Sequence, residues 1–223
     1  DATNPYAGRD PRMNLYIVVN GSAVGIDKKV IDTSVDNTAN DDGLNKEDNY
    51  STRTGYYLRK HLREDVSITS TNKNGQPHYS PRIRYTEIFL NYAEAANEAW
   101  GPQGTGTHGY SAYDVVKAIR QRAGVGVDNG DAYLESIKTD KDKMRELIRN
   151  ERRLELCFEG FRFWDLRRWN ADLSEPAKGI RISQGTYTEF TVENRNYANY
   201  MNYGPIPYTE IVKYNELKQN QGW

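Results

Sequence analysis

The chain has 223 residues, 37% of them apolar, enough for one substantial domain with its own core or for two small ones. It carries 30 basic and 31 acidic residues, so no basic excess marks a general nucleic-acid or polyanion binder. No apolar run reaches the roughly 18 residues of a membrane span. The opening DATNPYAGRDPRMN lacks the charged start and apolar stretch of a signal peptide, and the single cysteine, Cys157, excludes an internal disulfide framework. The 17 tyrosines and 20 asparagines outweigh the 5 phenylalanines. That mixture suits surfaces that stack and hydrogen-bond at once, and it equally describes a loop-rich secreted protein.

Residues 1–80 read as a loop-rich segment. NLYIVVNG (14–21) is an apolar run ending at Asn-Gly, a short strand and a turn. From Gly25 to Thr54 the chain is polar and aperiodic, a long loop of the kind that usually carries function. GYYLRKHL (55–62) is an ordered segment, and TSTNKNGQPHYSP (69–81) is a turn or hairpin tip. Within the loop, DNTANDDGLNKE (36–47) places Asp36, Thr38, Asn40 and Glu47 at calcium-loop spacing. However, Asp41 stands where the sharp turn needs glycine, and no helices flank it, so a solvated acidic loop is the expectation. His61, His78 and His108 are scattered without ligand spacing, and neither a metal nor a cofactor is expected.

Helical signals begin at Ser80-Pro81, a cap followed by a proline suited to the first turn. Tyr85, Ile88, Phe89, Tyr92, Ala93, Ala96 and Trp100 recur as one face of an amphipathic helix that Gly101-Pro102 ends. Ser111 caps a second helix, AYDVVKAIRQRA, which stops at Gly124. Residues 81–124 thus form a helical hairpin of the kind TPR-like repeats stack, and one hairpin cannot bury its own apolar face. A third helix is expected from Thr139 or Asp140 through MRELIRNERRLELCFEG, broken at Gly160 and followed by FRFWDLRRW. Residues 170–223 read as an irregular, tyrosine-rich tail in which Pro207 opens a short helix.

The stretch 139–169 carries the strongest signal. Between Met144 and Trp169 lie seven arginines, five acids and no lysine, interleaved with Leu147, Leu154, Phe158, Phe161, Trp164 and Leu166. Glu151, Glu155 and Glu159 repeat every four residues, and Arg152–Glu155, Arg162–Asp165 and Asp165–Arg168 stand at i,i+3 spacing. Helices charged and aromatic all round have too little solvated face to expose every charge, so some must be buried in pairs. Arginine suits that role because its planar fork binds carboxylates through two hydrogen bonds and stacks on rings. The stretch therefore reads as an internal ion-pair network that docks helices. Phosphate binding is disfavoured by the interleaved acids, and acid–base catalysis by arginines that hold each carboxylate ionised.

The same stretch resembles the signature of the SusD/RagB family of outer-membrane nutrient-binding lipoproteins, a pattern close to ERR-x-EL-x-FEG-x-R-x-x-D-L-x-R-W. Glu151, Arg152, Arg153, Glu155, Leu156, Phe158, Glu159, Gly160, Arg162, Asp165, Leu166, Arg168 and Trp169 fill its places. GRDPRM (8–13), RIRYTEIFLNYAEAANEA (82–99), AIRQRAG (118–124) and PIPYTEI (205–211) with NELKQNQGW resemble further blocks of that family in order; Lys218 and Trp223 depart from its closing pattern. The resemblance implies a mainly α fold of TPR-like helical hairpins, long irregular loops and a few short strands. It implies that residues 1–223 are the C-terminal domain of a longer protein, with an N-terminal TPR portion and a lipid-anchoring cysteine upstream. Cys157, inside the signature, is not that anchor. It implies no enzyme. Instead it implies a cell-surface protein that binds oligosaccharides and delivers them to a SusC-like TonB-dependent transporter in the outer membrane.

The ligand residues of such proteins differ between members, so candidates rest on residue type alone. Sugars are held by flat rings against their apolar faces, with Asn, Asp and Arg on their hydroxyls. DNYSTR (48–53) offers Asp48, Asn49, Tyr50 and Arg53 on a loop, and His78 with Tyr79 is a second candidate pair. Trp100, Tyr56, Tyr57 and Trp223 read as packing residues. The alternatives are peptide cargo on the same fold, as in the RagB branch, and a helical protein-interaction scaffold with no small ligand.

Overall fold

The computed structural model of the protein describes residues 4–39, 41–47, 50–67 and 74–223. Local pairing, rather than long elements, orders the N-terminal third. A one-turn helix α1 (Met13–Tyr16) runs straight into β1 (Ile17–Val18). After the Asn20-Gly21 turn, β2 (Ala23–Val24) pairs antiparallel with β3 (Lys29–Val30), and β4 (Tyr57–Leu58) returns to pair antiparallel with β1. Val18, Val24 and Ile31 form a small core with Tyr57 and Leu62 packed on it.

The described residues of the polar run 25–54 are irregular apart from β3, as expected, and the run is pinned down at several points. Thr33, Asn37, Leu44 and Thr52 are buried. Most of their polar groups are satisfied locally, although the Thr33 hydroxyl is buried without a hydrogen-bond partner among the described residues. The Asn20 side chain accepts from the Thr33 amide at 2.8 Å, and the Thr52 hydroxyl accepts from the amides of Thr54, Gly55 and Tyr56. The Tyr57 hydroxyl accepts from the Thr52 amide at 2.9 Å and donates to the Asp42 carbonyl at 3.0 Å. Asp36, the first position of the calcium-like spacing, accepts instead from the Gln184 amide at 2.6 Å and the Ser183 hydroxyl at 3.2 Å.

Helix α2 (Tyr85–Trp100) begins four residues beyond the Ser80-Pro81 start. Arg84 stays extended (φ −122°, ψ 146°), and its guanidinium reaches away to Glu155 and Glu159 rather than joining a helical turn. The buried face of α2 keeps Ala93 and Ala96 of the predicted stripe but is turned away from its aromatic residues. Thr86, Leu90, Ala93, Ala96 and Asn97 face the core, while Tyr85, Ile88 and Phe89 are exposed. Small alanines allow neighbouring helices to approach closely, and the aromatic stripe about a quarter-turn away is left outside. Trp100 is half-exposed, and its ring lies where a Cβ on Gly106 would stand.

Three helices start on side-chain caps. Ser111 and Asp114 form a reciprocal capping box for α3 (Ala112–Arg122), Asp131 caps α4 (Ala132–Ile137), and Asp140 caps α5 (Lys141–Glu155). Helix α4 was not anticipated. Helix α2 packs on both α3 and α5, and the main core joins Leu90, Val116, Ile119, Leu134, Met144 and Ile148. Helix α5 ends at Glu155, short of the expected break, because Phe158 takes a left-handed φ of 64° and the Lys60 ammonium donates to the Glu155 and Cys157 carbonyls at 2.6 and 3.1 Å. Gly160 (φ 86°) then opens α6 (Phe161–Arg168).

The tail holds more order than expected. Strands β5 (Ala177–Ser183) and β6 (Thr186–Glu193) form an antiparallel hairpin across Gln184-Gly185, both with positive φ as a tight primed turn requires. The hairpin docks on the N-terminal third. The Ile180 amide donates to the Thr54 carbonyl at 2.8 Å and the Val35 amide to the Ile182 carbonyl at 3.0 Å. Beyond it, a 3-10 turn (Asn199–Asn202) and α7 (Tyr208–Ile211), which follows Pro207, are tied down when the Gln219 side chain bonds both backbone groups of Ile206. The indole of Trp223 meets the Tyr200 ring edge-on.

Gly55 sits at this junction with φ 81°, and a Cβ there would stand 2.2 Å from the Ile180 carbonyl oxygen. Gly55→Ala combines left-handed strain with a backbone clash, and urea unfolding should show a loss of about 2–4 kcal/mol.

Candidate functional site

The ion-pair network predicted from 139–169 exists, and it gathers charges from most of the chain. Glu151 is fully buried on α5. It accepts from Arg12 at 2.9 Å and from Arg120 at 2.7 Å. One turn on, buried Glu155 accepts from Arg122 at 2.5 Å, Arg12 at 3.2 Å and Arg84 at 3.3 Å. Three of these four arginines are braced from behind by a second acid, and Arg122 instead donates to the Thr86 hydroxyl at 3.1 Å. Arg12 grips Asp10 at 2.9 and 2.7 Å, Arg120 grips Asp131 at 2.5 and 2.9 Å, and Arg84 grips Glu159 at 2.9 and 2.8 Å. A second knot joins α5, α6 and α2. Arg152 holds Asp165 at 2.9 and 3.0 Å and Asn91 at 2.6 Å, while Glu94 accepts from Arg168 at 2.6 and 2.7 Å and from the Trp169 indole at 2.7 Å.

The pairing differs from the i,i+3 expectation. Asp165–Arg168 forms, but Arg152 turns to Asp165 rather than to Glu155, and Arg162 pairs with nothing among the described residues. Arg153 likewise stays outside the network. Bidentate contacts between helices are better satisfied than neighbouring ones on a single helix surface.

In Asp10, Asp131, Glu94 and Glu159, burial pushes the carboxyl upward. The hydrogen bonds from Arg12, Arg120, Arg168 and Arg84 outweigh it, so each sits below its ordinary value. These carboxylates are therefore structural anions held by guanidinium groups.

The predicted ligand residues lie elsewhere. Asp48 and Asn49 fall outside the described residues. Tyr50 is 79% exposed in a turn whose amide donates to the Glu47 carbonyl, and Arg53 is exposed beside buried Thr52. His78 and Tyr79 are exposed on extended chain ahead of α2. Among the described residues, no hydrogen bond, ion pair or ring contact joins the two pairs. Neither pair lines the two clearest grooves. One is apolar, lined by Phe89, Tyr110, Val115, Ala118 and Ile119. The other, of about 260 Å3, is lined by Arg149, Asn150, Arg153, Arg162, Leu166 and Trp169. Sequence reasoning missed the second as a site, because Arg149 and Arg162 each have an acid three residues away, Glu146 and Asp165, and only the structure shows that neither pair forms among the described residues.

Comparison with known proteins agrees with this architecture. A family model described as the SusD family matches residues 1–223. The "SusD-like protein P38" of Formosa agariphila is 33% identical over 128 residues, covering 52% of this chain and 24% of that protein. The "SusD-like protein P2" of the same organism is 29% identical over 112 residues, covering 50% and 21%. The crystal structure of a SusD-like protein from Bacteroides fragilis superposes with a TM-score of 0.74 at 31% identity, covering 98% of this chain and 40% of that one. The chain thus spans about a quarter of the length of the curated relatives it matches.

Glu151→Ala leaves two buried guanidiniums short of a partner, and chemical denaturation should register a loss of about 3–5 kcal/mol. The pH dependence has a definite sign. Carboxyls whose folded values lie below 3.8 for Asp and 4.5 for Glu contribute stability that is fully present above those unfolded values and is lost as pH falls below them. Thermal melts should accordingly be flat in this contribution down to about pH 5 and fall steeply below, with a shallower fall in Glu94→Gln.

Proposed function

The chain belongs to the SusD family, and from that premise we propose that it is a non-catalytic binding protein that captures oligosaccharides at the bacterial outer surface. It passes them to a SusC-like TonB-dependent transporter and is held at the outer membrane by an acylated cysteine upstream of Asp1. The observation that carries this reading is the match of the whole of residues 1–223 to the family. The chemistry of the interior is consistent with it. The carboxylates that would serve as a catalytic pair, Glu151, Glu155, Glu159 and Asp165, are each engaged by arginine. No helix among the described residues is long and apolar enough to cross a membrane, which is in keeping with a lipid anchor rather than a helical span.

The ligand surface we assign to the loop Asp48, Asn49, Tyr50 and Arg53, with His78 and Tyr79 as a second contact. An exposed tyrosine ring on a turn anchored by buried Thr52 offers a flat apolar face without needing to reorganise, and an adjacent exposed guanidinium serves hydroxyls.

Calorimetric titration with a panel of neutral and acidic oligosaccharides and short peptides tests the reading, with mass spectrometry of the recovered ligand. Saturable binding of an intact saccharide is expected, weakened about tenfold in Tyr50→Ala by loss of one ring stack. Binding of peptides alone would replace the cargo, and cleaved products would overturn the non-catalytic assignment.

A further inference from the structure

The chain from Asp42 to Tyr57 is stitched along both of its limbs. On the outgoing limb the Lys29 ammonium holds the Asp42 carboxylate at 3.0 Å, and the Leu44 amide donates to the Thr33 carbonyl at 3.2 Å. Gly43 runs so close to its neighbours that a Cβ there would stand 2.8 Å from the Ser34 carbonyl oxygen. At the root the Asn45 amide donates to the Thr52 carbonyl at 2.9 Å, closing the loop that carries Tyr50. Ser51 ties the tip together, because its hydroxyl accepts from the Glu47 amide at 2.7 Å and donates to the Glu47 carbonyl at 2.9 Å. The Tyr57 hydroxyl joins the limbs, accepting from the Thr52 amide at 2.9 Å and donating to the Asp42 carbonyl at 3.0 Å. Its ring packs on the small core of Val18, Val24 and Ile31, and pairing with Val18 fixes its backbone. The hydroxyl is thus carried by rigid structure, with its donor and an acceptor position both in use. These residues lie outside the recurring blocks of the family, and each of these bonds is made within residues 29–57.

We propose that Tyr57, seconded by Ser51, is a positioning residue for saccharide capture. Neither touches the sugar; together they fix the backbone around Tyr50 and Arg53 before a saccharide arrives. The proposal rests on the assignment of the ligand surface to this loop and deepens it. Thr52 is buried between exposed Tyr50 and exposed Arg53, so the bond that Tyr57 makes to its amide sets the placement of both. A ring contributes to binding only in the conformation that meets the sugar. A loop that samples others binds in proportion to its competent fraction, and ordering it on contact costs entropy. Ser51 acts on the other side of Tyr50, and its hydroxyl is engaged with the Glu47 backbone rather than free for a sugar. Tyr57→Phe keeps the ring in the small core and removes the one atom that joins the limbs, leaving the Thr52 amide and the Asp42 carbonyl to water.

The test titrates the full-length protein with neutral hexaoses of glucose, mannose and xylose and with hexagalacturonate, in the wild type, Tyr57→Phe, Ser51→Ala, Ser51→Thr and Tyr50→Ala. Stopped-flow rates and amide hydrogen exchange accompany the titrations. For the saccharide that the wild type binds, Tyr57→Phe and Ser51→Ala should each weaken affinity about two- to tenfold, the net worth of one such hydrogen bond. The loss should lie in slower association at an unchanged dissociation rate, because the bound loop is the same and only its free population falls. Tyr50→Ala removes a contact and should instead speed dissociation. Ser51→Thr should restore wild-type binding, and the amides of residues 44–53 should exchange faster in free Tyr57→Phe and regain protection with saccharide bound. A purely structural role would lower the melting temperature and the number of competent molecules at the wild-type affinity, and that result would overturn the proposal. Should Tyr57→Phe fail to fold, Ser51→Ala, at a half-buried turn, carries the same test. Wild-type affinity in both variants beside weakened Tyr50→Ala would overturn the positioning role and leave the loop as the ligand surface. A saccharide bound equally well by Tyr50→Ala would remove the loop assignment and this proposal with it. No saccharide bound by the wild type would remove the oligosaccharide reading itself.

Discussion

Two carboxylates one turn apart on α5, Glu151 and Glu155, fix the geometry of the molecule. Both are buried, and a buried carboxylate is tolerated only where guanidinium or comparable donors surround it. Four arginines do so, and they arrive from places far apart in the chain: Arg12 ahead of α1, Arg84 ahead of α2, and Arg120 and Arg122 at the end of α3. The N-terminal third, the helical hairpin and the third long helix therefore meet at one point. Replacing such a cluster by well-packed hydrophobes is often neutral or favourable for stability in general. Its value here lies in direction. Apolar faces tolerate several packings, but bidentate contacts to a particular carboxylate oxygen tolerate one.

That constraint explains the choice of arginine. Arg12, Arg84, Arg120 and Arg152 each use two or more nitrogens on different oxygens, which a single ammonium cannot do in fixed geometry. The exception confirms the reasoning. Lys60 reaches the same region, but its targets are the carbonyls of Glu155 and Cys157 and the Glu159 carboxylate, spread around one point where a compact, three-donor ammonium fits. By satisfying the last carbonyls of α5, it also allows the chain to leave the helix at Leu156 and turn through Phe158 into α6.

How much of this was legible depends on whether the deciding interaction is local. The capping box at Ser111 and the cap at Asp140 are written in adjacent residues and stand where the sequence puts them, while Gly160 opens α6 although α5 has already ended at Glu155. The conclusion that 139–169 buries some of its charges in pairs also holds, and it follows from composition. The identity of the pairs does not, because Arg152 chooses between Glu155 and Asp165 by tertiary geometry. The same applies to α2. Periodicity finds Ala93 and Ala96 but joins them to Tyr85, Ile88 and Phe89 rather than to Thr86, Leu90 and Asn97, and close approach of α3 and α5 selects the smaller side chains. The β5–β6 hairpin was readable, since TYTEFTVE is β-branched and aromatic after Gln184-Gly185, but the aperiodic residues around it masked the signal.

The residues that identify this family and the residues proposed to face a ligand are largely different sets, and the network accounts for the first set. Glu151, Arg152, Glu155, Glu159, Asp165 and Arg168 are engaged with one another or with Arg12, Arg84, Glu94, Arg120 and Arg122, so their chemistry is consumed inside the protein. A substitution among them alters docking before it alters recognition. Tyr50, Arg53, His78 and Tyr79 are exposed, and exchanging them leaves the frame in place. Arg153 and Arg162 break the division. They belong to the family pattern, yet among the described residues they form no hydrogen bond or ion pair.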